Sequence, residues 1–261
     1  MTTQFLSSGS VRTAFQISGN GPALILLHGA EANRLSFNAL SEHLIDHFTL
    51  ITYDQRDCGE TESGDQPATL EELADDAHIL LKHLGFSRAH VFGSSFGGRV
   101  AQALAIRHPE IIEKLVLGST WPLPQQLKEL NPEVLLKIQN LRNELPESAA
   151  SLASLYFTAD FLQNHTEFQQ IFANVQTENP RTIRRHTAVD STMNIDWSLI
   201  NMPVLLLTGA DDQIVPPANS INMASQIKNS KLIVMPKTAH ATVIESPEKV
   251  AMHLTHFLTA P

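Results

Sequence analysis

Two hydrophobic patterns alternate along most of the chain. Short, continuous apolar runs such as Ala23–Leu27 are typical of strands covered on both faces of a sheet. Between them, apolar residues recur at helical spacing, as after the Thr69–Glu72 capping box. The pattern predicts strands over 11–17, 23–27, 49–53, 89–92, 115–117, 203–209 and 231–235, and helices near 35–48, 70–84, 100–108, 219–227 and 247–258. This alternation implies an α/β fold with a doubly wound, mostly parallel sheet, helices on both faces and an antiparallel first strand.

The alternation stops between Trp121 and Asp196, where we find no strand pattern. Helical stretches are expected instead near 131–141, 151–157, 167–175 and 180–189, the first of them opened by Asn131 and Pro132. We therefore divide the chain into an N-terminal part of the core (1–120), an inserted all-helical cap (121–196) and a C-terminal part of the core (197–261).

Composition and charge exclude several classes of partner. The chain has 261 residues and a net charge of −9, and its Lys and Arg form no block. We therefore expect no nucleic-acid partner and no anionic membrane partner. No apolar run approaches the ~20 residues of a membrane span, and we expect no signal peptide. The single cysteine, Cys58, forms no internal disulfide and belongs to no metal-ligand cluster, so we expect a cytoplasmic protein without metal or cofactor.

One serine lies where a strand turns sharply into a helix. Ser95 is the centre of Gly93-x-Ser95-x-Gly97, with an apolar run before it and a buried helical pattern after it. A serine on such a turn needs small residues two positions away, because strand and helix approach closely there. A Gly/Ser-rich loop is the alternative, but the strand and helix on either side favour a nucleophile.

A serine nucleophile needs a base that accepts its proton and an acid that orients the base. Of the twelve histidines, His240 follows a C-terminal strand and lies on the loop before the last helix. The acid is expected on the loop after 203–209, where both Asp211 and Asp212 are available. We favour Asp212 by position. The alternative is that both aspartates only cap the turn.

Acyl transfer also needs hydrogen-bond donors directed at the developing oxyanion. The backbone N–H of Phe96, at the start of the helix, is one candidate, and that of Ala30, after His28-Gly29, is the other. We interpret His28 as a structural residue beneath this loop rather than as a second base.

These motifs, in this order and at this spacing, resemble the α/β-hydrolase fold family. The resemblance covers essentially the whole chain and rests on His28-Gly29, Asp54-x-Arg56, Gly93-x-Ser95-x-Gly97-Gly98, Gly209-x-x-Asp212-x-x-Val215-Pro216 and His240-x4-Glu245-x-Pro247. Residues 156–161 and 234–236 look most like the 3-oxoadipate enol-lactonase and aminoacrylate hydrolase branch. The resemblance implies the triad of Ser95, Asp212 and His240, and it argues against chemistry that uses an aspartate in place of Ser95.

The chain departs from the family pattern at Asp57, Cys58 and Ser94. Asp57 stands where the family usually has glycine, Cys58 occupies a variable position, and Ser94 replaces the commoner His or Asn. We expect an altered loop beside the site and no effect on the triad.

Several cap residues are candidates for substrate contact. Trp121, Tyr156, Phe157 and Phe161 are candidate pocket walls, with plain packing between cap and core as the alternative. The last cap helix carries three basic residues, Arg181, Arg184 and Arg185. They either bind a carboxylated substrate, such as an enol-lactone acid, or form a solvated face.

The sequence as a whole leads us to expect a cofactor-independent serine hydrolase that cleaves a small carboxylic ester or lactone. Hydrolysis of a carbon–carbon bond and perhydrolysis are rival activities of the same triad. A small-molecule sensor that retains the triad is a rival from another class. The partners considered are the small substrate and a second copy of the chain in a homodimer.

Overall fold

The computed structural model describes residues 2–173 and 179–261, which form one sheet with helices on both faces. The strands are Gln4–Ser8 (β1), Val11–Ser18 (β2), Ala23–Leu27 (β3), Thr49–Tyr53 (β4), Ala89–Ser94 (β5), Ile112–Gly118 (β6), Val204–Gly209 (β7) and Ser230–Met235 (β8). The core helices are Asn38–Leu44 (α1), Leu70–His83 (α2) and Phe96–Arg107 (α3), and the cap helices are Leu127–Leu130 (α4), Pro132–Asn143 (α5), Ala149–Tyr156 (α6), Ala159–Asn164 (α7), Glu167–Ala173 (α8) and Pro180–Asp190 (α9). Ala218–Gln226 (α10), Thr242–Glu245 (α11) and Pro247–Thr259 (α12) complete the core.

The strand order creates a crevice at the carboxyl edge of the sheet. The order is β1-β2-β4-β3-β5-β6-β7-β8, with β1 and β2 antiparallel and the other neighbours parallel. The chain leaves β3 toward β4 on one side and leaves β5 toward β6 on the other. Such a switch point opens the crevice in which doubly wound sheets bind ligands. The loops after β3 and β5 border it, which confirms the predicted fold class.

The strands are continuously apolar because a hydrophobic core lies on each face of the sheet. In β3, Ile25 and Leu27 pack into the core beneath α2 and α3, whereas Leu24 and Leu26 pack into the core beneath α1 and α12. Because successive side chains of a strand point to opposite faces, both faces of β3 must be apolar.

Several elements differ from the sequence prediction, including the short helices α4, α7 and α11, which the pattern does not predict. The edge strand β1 is mostly exposed and carries no clear alternation, so pairing with β2 defines it instead. The helix expected over 35–48 is a 3₁₀ turn, Arg34–Phe37, followed by the shorter α1. The Asn33 side chain accepts a hydrogen bond from Leu35 N, 2.9 Å away, and caps that turn.

The described residues of the cap form helices and connecting loops, and no strand is found among them. The helix expected over 167–175 is α8, and its predicted residues 174 and 175 lie outside the described residues. None of the described helices has the length and hydropathy needed to cross a bilayer.

Arginine side chains attach the cap to the core. Arg99, buried in α3, donates to the carbonyls of Val189 and Leu123. On α9, Arg184 donates to Asp57 Oδ1 at 2.9 and 2.6 Å. Arg181 Nη2 donates at 2.7–2.9 Å to carbonyls of the loop after β4, those of Cys58, Gly59 and Thr61. These two arginines of α9 therefore hold the cap on the core and do not form a solvated face.

The close contact between β5 and α3 predicts that a side chain at Gly93 destabilises the protein. A Cβ at Gly93 would lie 2.7 Å from Gly98 Cα and closer still to the Gly97 carbonyl oxygen. We expect Gly93→Ala to lower the free energy of unfolding by about 2 to 3 kcal/mol, because backbone atoms must move. Gly64→Ala, whose nearest neighbour is 3.5 Å away, is the matched control and should change it by less than about 1 kcal/mol. Urea denaturation measures both variants, and equal losses would contradict the packing argument.

Candidate active site

Ser95 occupies a strained turn at the crevice. Its φ of 54° lies in the left-handed region that a residue with a side chain rarely adopts. The turn is fixed because Ser95 N donates to Gly118 O at 2.8 Å and Gly98 N donates to Ser95 O at 2.9 Å. A Cβ at Gly97 would lie 2.6 Å from the His28 carbonyl oxygen, so this glycine lets α3 approach the loop after β3. The turn leaves Ser95 partly exposed while its neighbours are buried.

His240 lies between Ser95 and Asp212. Its Nε2 is 3.0 Å from Ser95 Oγ, and its Nδ1 is 2.9 Å from Asp212 Oδ2 and 3.0 Å from Oδ1. A carboxylate only accepts hydrogen bonds, so Nδ1 carries the proton and Nε2 is free to accept one from the hydroxyl. This is the geometry by which a histidine activates a serine.

The carboxylate of Asp212 is fixed by its own loop. Its side chain is 0% exposed, and its Oδ1 accepts hydrogen bonds from Ile214 N at 3.0 Å and Val215 N at 2.9 Å. Asp211 is exposed, and its backbone N–H donates to Thr238 O at 3.0 Å. Of the two aspartates weighed from the sequence, the structure brings Asp212 to the histidine.

Glu245 holds the histidine loop and was missed as a site residue at the sequence level. Its Oε2 accepts from Ala239 N at 2.6 Å, directly before His240. Its Oε1 accepts from Thr158 N at 2.9 Å and from the Thr158 hydroxyl, both in the cap. The motif His240-x4-Glu245 was visible in the sequence, but its contact with the cap was not.

His28 orients the candidate oxyanion loop after β3. Its Nδ1 donates to Gly29 O at 2.8 Å, and its Nε2 accepts from Gln55 N at 3.1 Å. Burial, assisted by the nearby charge of Arg185, lowers the pKa of His28 to about 3, so the ring is neutral. Because C=O and N–H point oppositely in a trans peptide, holding Gly29 O directs the Ala30 N–H to the other side of the loop.

A cap side chain holds the same loop. Arg185 Nε donates to Ala30 O at 3.0 Å, and Nη2 donates to Gly29 O at 3.4 Å. Its guanidinium carbon lies 4.6 Å from the centre of the Phe96 ring. Arg185 therefore touches both residues whose N–H groups are the candidate oxyanion donors, Ala30 and Phe96.

The aromatic candidates of the cap separate into different environments. The Tyr156 ring lies 5.9 Å from the His240 ring, and its hydroxyl lies 3.4 Å from Glu31 Oε2. Trp121 is only 1% exposed and donates its indole N–H to Gln125 O at 3.1 Å. Tyr156 thus borders the site, whereas Trp121 fills the core and offers no surface to a substrate.

Phe157 is also a packing residue. It is buried and stacks on Phe161, with ring centres 5.0 Å apart, and further contacts are made to Phe168 and Phe172. Phe157 and Phe161 were expected to be pocket walls. They instead belong to an aromatic cluster within the cap, because their ring faces pack against each other.

The departures from the family pattern have local explanations. Asp57 has a φ of 62°, where glycine is usual, and its carboxylate binds Arg184. The Cys58 thiol is buried, and burial raises its pKa, so it stays a protonated core group. Ser94 is buried at the end of β5.

One cluster of metal-ligating side chains lies elsewhere among the described residues. His78, His108 and Glu110 place ligand atoms within 4.8 Å of one another. His108 directly follows α3, whose other end carries Ser95, so the cluster lies at the opposite edge of the sheet. It has no connection with the triad.

Comparison with known proteins shows the family to which the chain belongs. The family described as alpha/beta hydrolase fold matches residues 22–247. RutD of Caulobacter sp. (strain K31), which is named as a carbamate hydrolase, is 27% identical over 265 aligned positions, covering 97% of this chain and 98% of RutD.

Solved structures are similar to this chain over nearly its whole length. A thermophilic esterase from Thermogutta terrifontis, with malate bound, has a TM-score of 0.82 at 26% identity and covers 99% of this chain and 98% of its own. The enol-lactonase from Burkholderia xenovorans LB400 also has a TM-score of 0.82, with 98% and 100% covered; at 24% identity this shows a shared fold. The chain is therefore a hydrolase that belongs to the alpha/beta hydrolase fold family.

Proposed function

We propose that the protein is a cofactor-independent serine hydrolase that cleaves a small carboxylic ester or lactone through an acyl-enzyme on Ser95. The observation that carries the proposal is the continuous chain of contacts from Ser95 Oγ to His240 (3.0 Å) and from His240 to Asp212 (2.9 Å). These residues come from loops that follow β5, β7 and β8, so the fold of the sheet brings them together.

In the first half-reaction, Ser95 Oγ attacks the carbonyl carbon while its proton passes to His240 Nε2. Asp212 stabilises the resulting imidazolium through Nδ1–H. The carbonyl oxygen becomes an oxyanion and accepts hydrogen bonds from the N–H groups of Ala30 and Phe96. When the bond to the alcohol oxygen breaks, that oxygen takes the proton from Nε2, and the acyl group remains on Ser95.

In the second half-reaction, water attacks the acyl carbon and gives its proton to His240 Nε2. The same N–H groups stabilise the second oxyanion, and Ser95 takes the proton back as the acid leaves. The cap lies beside this site, since Arg142 and Tyr156 both contact Glu31, which is next to Ala30.

Carbamates form a second substrate class, which the names of the RutD relatives favour. Carbamoyl transfer uses the same nucleophile, base and oxyanion donors as acyl transfer. The ratio of kcat/KM on ethyl acetate to that on ethyl carbamate ranks the two classes.

Ser95→Ala tests the nucleophile. We expect kcat/KM on 4-nitrophenyl acetate to fall at least about 10⁴-fold, because no other group takes over the acyl transfer. The variant should unfold at the wild-type urea concentration to within a small shift, which shows that the fold is intact. Activity within a factor of ten of the wild type would contradict the proposal.

The neighbouring aspartates provide a matched pair for the acid. Asp212→Asn should lower kcat on the same ester by about 10⁴-fold, because an amide favours the wrong tautomer of His240. Asp211→Asn should stay within about threefold of the wild type, since its side chain is exposed and outside the triad. Steady-state kinetics compare the variants, and a larger loss at Asp211 would reverse the assignment.

A further inference from the structure

Two histidines meet where α2 packs against the end of α3. His78 lies on α2, and His108 directly follows α3. Their imidazole rings stack, with centres 3.9 Å apart and planes inclined by 19°. Glu110 lies in the short turn that follows His108, and one ligand atom from each of the three residues lies within 4.8 Å of the other two. We call these three residues the α2–α3 cluster.

His108 is oriented in the manner of a metal ligand. Its Nε2 lies 2.7 Å from Asp75 Oδ1, and the Asp75 carboxylate accepts hydrogen bonds of 2.9 and 2.7 Å from Arg107. Because a carboxylate only accepts, Nε2 carries a proton, and Nδ1 of the neutral ring keeps its lone pair for a ligand bond. Histidines that bind metals commonly donate their second N–H to a carboxylate, which fixes both the tautomer and the ring.

The other two members of the cluster keep their ligand atoms free. The His78 ring forms no hydrogen bond with any of residues 2–173 and 179–261, and its Nδ1 is buried without a partner. Glu110 Oε1 lies 3.9 Å from His108 Nδ1, which is too far for a hydrogen bond. The Glu110 side chain is 69% exposed. The cluster is therefore open to solvent on the side of Glu110, and this carboxylate has room to turn toward the two rings.

The ligand set indicates the class of metal. Two imidazole nitrogens and one carboxylate oxygen form a common three-ligand set for zinc, with water in the fourth position. Donor atoms around a tetrahedral zinc lie roughly 3.4 Å apart, so small side-chain rotations bring the cluster to that spacing. Calcium and magnesium prefer oxygen ligands throughout, and two imidazoles disfavour them.

We propose that His78, His108 and Glu110 form a binding site for a divalent transition-metal ion of the zinc class, which ties α2 to the turn after α3. The site lies at the opposite edge of the sheet from Ser95, so the metal takes no part in the chemistry there. Cys58 directed the search for metal ligands in the sequence, whereas the cluster joins residues about thirty positions apart and follows no motif spacing.

Isothermal titration calorimetry tests the site with zinc chloride as the probe and the untagged, chelator-treated chain near neutral pH. We expect one equivalent of zinc to bind and magnesium chloride to give no binding heat. His78→Gln should weaken zinc binding by at least about 100-fold, because it removes a ligand. Asp75→Asn should weaken it by about 10- to 100-fold, because it alters only the group that orients His108. Glu110→Gln should weaken it by at least about 10-fold, since a neutral amide replaces the carboxylate.

Binding to the folded state alone gives a second measurement. At a free zinc concentration about 100 times Kd, the ratio of folded to unfolded protein should rise about 100-fold, and urea denaturation follows that rise. His256→Gln is the matched control, because it removes an exposed histidine of α12 that lies outside the cluster. Its zinc affinity should equal that of the wild type.

Three results would overturn the proposal. The first is a wild-type protein that binds no zinc, and the second is His78→Gln binding zinc as tightly as the wild type. The third is an equal loss in His256→Gln, which would show adventitious binding to surface histidines. Because Glu110 is exposed, Glu110→Gln keeps the proposal testable even if His78→Gln fails to fold, and unchanged affinity in it would contradict the site. None of these results bears on Ser95, whose function is tested separately.

Discussion

The site depends on the close approach of β5, α3 and the loop after β3. Ser95 adopts its positive φ because the chain must reverse between a strand and a helix that nearly touch. Glycines at 93 and 97 permit that approach, since a side chain at either would meet backbone atoms. The same crowding brings Gly29 next to Ser95, where a Cβ would lie 3.8 Å from the hydroxyl oxygen. A single packing constraint therefore positions both the candidate nucleophile and the candidate oxyanion loop.

Cap residues contact two core loops of the candidate site, the histidine loop and the oxyanion loop. Thr158 and Tyr156 contact the histidine loop through Glu245 and Ala241 N, and Arg185 contacts the oxyanion loop. Cap attachment and active-site order are consequently coupled, because the same hydrogen bonds serve both.

Much of the fold was predictable from sequence because it follows from periodicity. The run Ala23–Leu27 indicates a strand with two covered faces, and the Thr69 capping box indicates where α2 begins. The adjacent aspartates show the limit: position favours Asp212 over Asp211, but the N–H groups that fix the Asp212 carboxylate are visible only in the structure. Likewise, the contact of Arg185 with Ala30 joins residues far apart along the chain, and no local pattern encodes it.

The central claim is that Ser95 is the nucleophile and that Ala30 and Phe96 hold the oxyanion. A crystal structure of the protein inactivated with an ethyl fluorophosphonate tests it most directly. We expect phosphorus to be bonded to Ser95 Oγ and one phosphoryl oxygen to lie about 3 Å from both backbone nitrogens. Phosphorus on another residue, or a phosphoryl oxygen directed away from both N–H groups, would contradict it.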